Sequence, residues 1–246
     1  MAYDKGTTGF ATFHIRIARF CLSLDLPQKW SECLDGSIFA PFIFDSAGQC
    51  KLYKLVFHII DPNSLPSPPK ADIPGDGPIE SFPILHLSSI QDTFDKRTSQ
   101  AACRLRPHTL AIYEPSTRTM ETFGFPPATP LTRLRFHGVQ AFCGLFAEDD
   151  GLLVHGAGFV IDGHGGLFLG PSGAGKSTAV ELLKPDRLLS DDAIAITDAD
   201  GEPMVHATPL GNITDGPAEA PLRAGFFLQQ GDEFKRAFSA ATIHDF

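Results

Sequence analysis

A chain of 246 residues, 43% of them hydrophobic, holds enough apolar material for one large domain or two small ones. Its net charge of −9 excludes a broad electrostatic grip on nucleic acid or on an anionic membrane, while leaving room for a local phosphate site. No stretch reaches the roughly 18 apolar residues of a membrane span, and Met1 to Lys5 lack the charged and then apolar segments of a secretion signal.

The first part, residues 1–127, reads as β-rich and is a candidate for substrate recognition. Phe13-His14-Ile15-Arg16-Ile17 alternates as a half-buried strand does, Leu52 to Ile60 is rich in strand formers, and Thr109 to Tyr113 is another short run. Seven prolines between Pro62 and Pro83 predict an extended loop. Thr129 then offers a helix cap and Pro130 a first helical residue. Leu131, Leu134, Gly138, Ala141, Phe142 and Leu145 fall on one face at helical spacing, so this helix is expected to serve core packing. Asp150-Gly151 is expected to end it.

The second part, residues 128–246, carries the chemistry. Leu152 to Ile161 predicts a strand, Asp162-Gly163-His164-Gly165 a turn, and Gly166 to Leu169 a returning strand. The run Gly170-Pro171-Ser172-Gly173-Ala174-Gly175-Lys176-Ser177-Thr178 follows and satisfies G-x-x-x-x-G-K-[ST] at every fixed position. Glycines let a backbone fold its N–H groups around phosphate oxygens, and the helix predicted from Ala179 onward directs its positive end at the anion. Lys176 would reach the β- and γ-phosphates of ATP, and the Ser177 hydroxyl would ligate Mg²⁺. Leu188 to Ile196 is an apolar strand interrupted by Asp191-Asp192. Two buried acids need a cation, so one of the pair is expected to hold the metal and the other to accept the proton of an attacking hydroxyl. Asp198 to Glu202 predicts a turn, and Met204 to Thr208 a further strand.

The order His155-Gly156, hairpin, phosphate loop, Ser190-Asp191-Asp192 resembles the HPr kinase/phosphorylase family, and more closely its divergent relatives in bacterial gene clusters. The likeness spans about Leu152 to Ile196, with a looser echo at Thr208-Pro209 and Phe226-Phe227-Leu228. It implies an α/β fold whose P-loop kinase core is of the HPr kinase/phosphoenolpyruvate carboxykinase-like type, joined to the β-rich N-terminal region. It also implies ATP and Mg²⁺ as cofactors, a serine-containing protein or peptide as acceptor, and a homo-oligomer. On this resemblance Asp191 activates the acceptor hydroxyl, Asp192 and Ser177 lie near the metal, and His155 lies near the phosphates. From its strand setting alone, His155 would be a packing residue.

The family's basic C-terminal signature has no counterpart here: Arg223, Lys235 and Arg236 are the basic residues after the acid pair. Phosphoryl transfer calls for a cation beyond the loop lysine, and Arg223 is the candidate. Two readings result, an ATP-dependent serine kinase and a nucleotide-binding regulatory module without efficient transfer. Carboxykinase chemistry ranks below both, because the metal-binding Lys/His constellation it needs is not seen. The five cysteines, Cys21, Cys33, Cys50, Cys103 and Cys143, form no C-x-x-C pair. They suit a reducing, cytoplasmic setting as small buried hydrophobes.

Overall fold

Alternating apolar residues form β1 (Phe10–Ile17), and the Ala18-Arg19 turn returns the chain as β2 (Phe20–Pro27), paired antiparallel along its whole length. The computed structural model describes residues 9–45, 51–59, 102–106, 109–114, 117–124, 130–147 and 151–229. The expected cap Thr129, the proline-rich stretch from Pro62 to Pro83, and Lys235 and Arg236 lie outside them. A single helical turn, α1 (Gln28–Ser31), follows β2, and β3 (Ile43–Phe44) pairs back onto β1. β4 (Lys51–Ile59) runs parallel to β2. β5 (Ala102–Arg106), β6 (Thr109–Glu114) and β7 (Thr119–Gly124) form an antiparallel meander, of which β7 lies parallel to β4. The result is a seven-stranded mixed sheet in the order β3-β1-β2-β4-β7-β6-β5.

The predicted helix is present as α2 (Pro130–Ala147), beginning at the proline. Its apolar stripe is buried: Leu134, Ala141, Phe142 and Phe146 are at most 3% exposed. The stripe stitches the first sheet to the second. The Phe146 ring lies 4.3 Å from that of Phe20, and a Cβ built on Gly138 would meet Leu210 at 3.2 Å. One continuous apolar cluster therefore runs from Leu22, Leu24 and Phe57 through α2 to Leu189, Ile194 and Val205. Each large side chain in it contributes roughly 1.5–3 kcal/mol by leaving water.

The second sheet is built on β8 (Gly151–Ile161) and β9 (His164–Leu169). They meet through Asp162-Gly163, both at positive φ (48° and 73°), the two-residue turn that matches strand twist. The glycine-rich loop 170–175 leads to α3 (Lys176–Leu183), and the chain returns as β10 (Arg187–Ser190), β11 (Ala193–Ala199), β12 (Glu202–His206) and β13 (Glu219–Phe227). Asp200-Gly201, again both at positive φ, joins β11 to β12. β8 is long enough to serve several partners. Its first half pairs with β11, and its second half pairs with β10 on that side and β9 on the other. β11, β12, β13 and β9 are also linked in succession, so β8-β11-β12-β13-β9 closes into a ring. α3 packs on one face through Val180 against Ala157 and Phe159.

This architecture corrects the expected α/β P-loop kinase core. Among the described residues strands predominate in two mixed sheets, and helix is confined to α1, α2, α3 and two single 3-10 turns, Glu32–Leu34 and Ala40–Phe42. The physical reason lies beyond the loop. An α/β core needs crossover helices between parallel neighbours, yet after α3 the strands pair antiparallel, β11 with β12 through the Asp200-Gly201 turn and β12 with β13. β9 has one parallel neighbour, β13, and one antiparallel neighbour, β8.

Candidate functional site

Three adjacent strands bring the chemistry to one row. Leu169, the last residue before the loop, faces Gly156, and the Gly156 N–H donates to the Asp192 carbonyl at 2.9 Å. Gly156 lets them approach, since a Cβ there would lie 2.9 Å from the Phe168 carbonyl oxygen. The ladder keeps one register across the acids, with Ser190 facing Gly158 and Ala193 facing His155. Asp191-Asp192 thus interrupts one long strand beside the start of the glycine-rich loop.

The loop has the backbone its glycines permit. Gly170, Gly173 and Gly175 have φ of 141°, 82° and 96°, a region that side chains disfavour. Gly170 is also sterically required, because its Cβ would fall 2.5 Å from the Leu228 carbonyl oxygen. α3 starts at Lys176 with its first turn closed by Ala179 N–H to the Gly175 carbonyl at 2.9 Å. Ser177 and Thr178, with Pro171, Ser172 and Gly173, are exposed, while Ala174 is half-buried.

Lys176 is only 7% exposed. Its ammonium donates to the carbonyls of Gly170 (2.9 Å) and Pro171 (3.1 Å), and lies 3.1 Å from Nε2 of His155. An ammonium can only donate, so Nε2 is the acceptor and the His155 proton sits on Nδ1. Nδ1 in turn lies 2.8 Å from a carboxylate oxygen of Asp192 and 3.0 Å from its carbonyl. Lys176, His155 and Asp192 therefore form one directed chain.

The two acids serve different partners. Asp191 Oδ1 accepts from the backbone N–H groups of Asn212 (2.6 Å) and Ile213 (3.0 Å), and Oδ2 from the Asn212 side-chain amide (3.1 Å). Gly211 passes so close that a Cβ would press on Ser190 and Asp191. Asp192, its side chain 40% exposed, faces His155 and also lies 3.8 Å from the Arg135 guanidinium. The Asp192 carboxylate and the Ser177 hydroxyl are oxygen donors of the type a hard cation takes. The exposed Ser177 hydroxyl and the Asp192 carboxylate would supply protein oxygens, with phosphate and water completing the set. Among the described residues no group of three or more His, Cys, Asp and Glu is gathered to hold a metal.

Arg223 lies elsewhere. It sits on β13 beside Gly165 and Gly166, at the far end of β9 from the loop, and pairs with Glu202 at 2.6 Å. The intervening residues span roughly 10 Å of strand. The cation that does lie at the acids is Arg135 of α2, a helix whose sequence points to packing alone. Its only signal there is a basic residue next to the apolar stripe, at Leu134. Asn212 was equally silent, lying in a loop with no motif. His164 is exposed at the hairpin turn. His206 is buried between Thr197 (Nε2 to Oγ1, 2.8 Å) and Glu219 (Nδ1 to Oε2, 3.1 Å), remote in sequence from the loop. Partial burial pushes the Cys33 thiol above the ordinary range, away from an activated nucleophile, while Cys143 is exposed rather than buried as expected. Against this geometry, comparison with protein families and with curated proteins yields no match.

Proposed function

We propose that this protein is an ATP-dependent, Mg²⁺-assisted kinase that transfers the γ-phosphoryl group to a serine hydroxyl of a protein or peptide. The observation that carries the reading is the directed chain from the phosphate-loop lysine through His155 to Asp192. A glycine loop with a lysine at the start of a helix suits a polyphosphate. An imidazole backed by a carboxylate and aimed at that lysine adds the means to move a proton.

In this reading the phosphates of ATP replace the Gly170 and Pro171 carbonyls around the Lys176 ammonium. His155 is then released with its Nε2 lone pair facing the site. The serine oxygen attacks the γ-phosphorus, the bond to the β,γ-bridging oxygen breaks, and ADP leaves with that electron pair. The serine proton passes to Nε2, while Asp192 holds Nδ1 and steadies the resulting imidazolium. Ser177 and Asp192, together with phosphate oxygens, would hold Mg²⁺, which would offset the charge of the nucleotide. Proton acceptance falls to His155 with Asp192 rather than to Asp191, whose oxygens already take three donors from the 212–213 loop.

The test is calorimetric ATP binding with Mg²⁺, followed by phosphorylation of serine-containing peptides and small proteins, for the wild type and Lys176→Ala. Lys176-dependent binding and transfer support the kinase. Lys176-dependent binding with no transfer to any acceptor supports the regulatory nucleotide-binding module instead. ATP affinity unchanged in Lys176→Ala removes both readings.

A further inference from the structure

We infer that Arg135 is the second cation of the transfer site, a role that rests on the kinase reading above. Phosphoryl transfer spreads negative charge over three oxygens, and a lysine at one side leaves part of it unopposed. Arg135 approaches Asp192 from α2 at Oδ2, the carboxylate oxygen other than the one that faces the His155–Lys176 chain. Its guanidinium is fixed by two contacts to one loop: Nε donates to the Leu210 carbonyl at 3.4 Å, and Nη1 to Asn212 Oδ1 at 2.9 Å. Nη2 is thereby directed at Asp192 Oδ2 across 3.8 Å, wider than a hydrogen bond. The side chain is 30% exposed, so solvent reaches part of it.

That geometry differs from a purely structural tie in one respect. A tie would place the strongest donor pair on the carboxylate, whereas here the fork is spent on the loop and its last arm faces the acid loosely. The same Asn212 amide that holds Arg135 also donates to Asp191. Asp191 and the arginine are therefore set by one residue, and a rigid, planar guanidinium is positioned before nucleotide arrives. A phosphoryl oxygen arriving beside Asp192 takes over Nη2 without any movement of α2.

The experiment compares wild type, Arg135→Gln, Arg135→Lys and Arg135→Ala for calorimetric binding of Mg·ATP and of Mg·ADP with aluminium fluoride, for transfer to serine peptides, and for thermal unfolding. We expect Arg135→Gln to bind ATP within about threefold of wild type. The same variant should lose about 100-fold or more of transfer and of the preference for the fluoride complex over ADP. Guanidinium ion added to Arg135→Ala should restore part of both, which a structural tie would not allow. Retention of the fluoride preference within about threefold in Arg135→Gln overturns the inference. Equal loss of ATP binding and thermal stability without guanidinium rescue overturns it as well. If the wild type binds ATP but no acceptor is found, the fluoride complex alone decides. If the wild type binds no ATP, the kinase reading fails in the same calorimetry, and the role of Arg135 fails with it.

Discussion

Replacing Asp191 by asparagine tests which acid holds the structure and which does the chemistry. The carboxylate takes three donors, two from the backbone at Asn212 and Ile213 and one from the Asn212 amide. An amide at position 191 can keep its oxygen on the two backbone donors, but as neutral hydrogen bonds. Its NH₂ group then opposes the Asn212 NH₂. Asn212 cannot turn over to relieve this, because its oxygen already accepts from Arg135. Hydrogen bonds to a charged group contribute about 1.5–3 kcal/mol each, against about 1 for neutral ones. Since Asp191 is only partly buried and water recovers some of the loss, the expected net cost is about 2 kcal/mol. In a domain of this size that lowers the melting temperature by roughly 4–8 °C. Asp192→Asn should cost no more than about 1 kcal/mol, because its partners are half-exposed. Transfer should nonetheless collapse in that variant while ATP still binds. Urea unfolding of both variants, with ATP calorimetry alongside, provides the measurement. An Asp191→Asn protein as stable as wild type and defective only in transfer would refute this division and restore Asp191 as the base.

Two further outcomes are expected. Burial holds the His206 imidazole below its ordinary value of 6.5; Glu219 opposes that shift and Arg19 adds to it. Between 6.5 and the lower folded value the unfolded chain binds the proton more readily, so stability should fall as pH drops through that window and level off beneath it. His206→Gln should flatten this slope in urea midpoints measured from pH 7.5 to 5, whereas an unchanged slope would remove His206 as its source. Separately, Gly156→Ala places a methyl group 2.9 Å from both the Phe168 carbonyl oxygen and Leu169. It should destabilise the protein by about 1–3 kcal/mol and weaken ATP binding by moving the start of the loop; ATP affinity equal to wild type would show that the loop tolerates that shift.

Local features were the legible ones. The glycine-rich loop 170–175 is marked by fixed residues, and its flanking strand and helix lie within a few positions. Asp162-Gly163 marks a two-residue hairpin because only certain residues accept positive φ. The interruption of a strand by Asp191-Asp192 was equally visible, as was the packing stripe of α2. Strand direction was not legible. Whether β9 lies in a parallel or a mixed sheet depends on β13, which sits over fifty residues later, and no local pattern encodes that pairing. The parallel contact of β2 with β4 is hidden for the same reason. The expectation of an α/β core came from reading a local motif as a statement about its surroundings. The separate duties of Asp191 and Asp192 depend on the Gly211 to Ile213 loop, and the position of Arg135 depends on how α2 docks. Both are long-range facts that composition and spacing do not carry.

The closed circuit of β8, β11, β12, β13 and β9 gives every strand in it two hydrogen-bonded neighbours. An open sheet frays from its outermost strand, one ladder at a time. A ring has no outermost strand, so the first opening event must rupture two ladders together. Amide hydrogens of β8 and β9 should therefore exchange with solvent only in the rarest openings of the molecule. The anchor from which the glycine-rich loop springs would then be among the last parts of this protein to come undone.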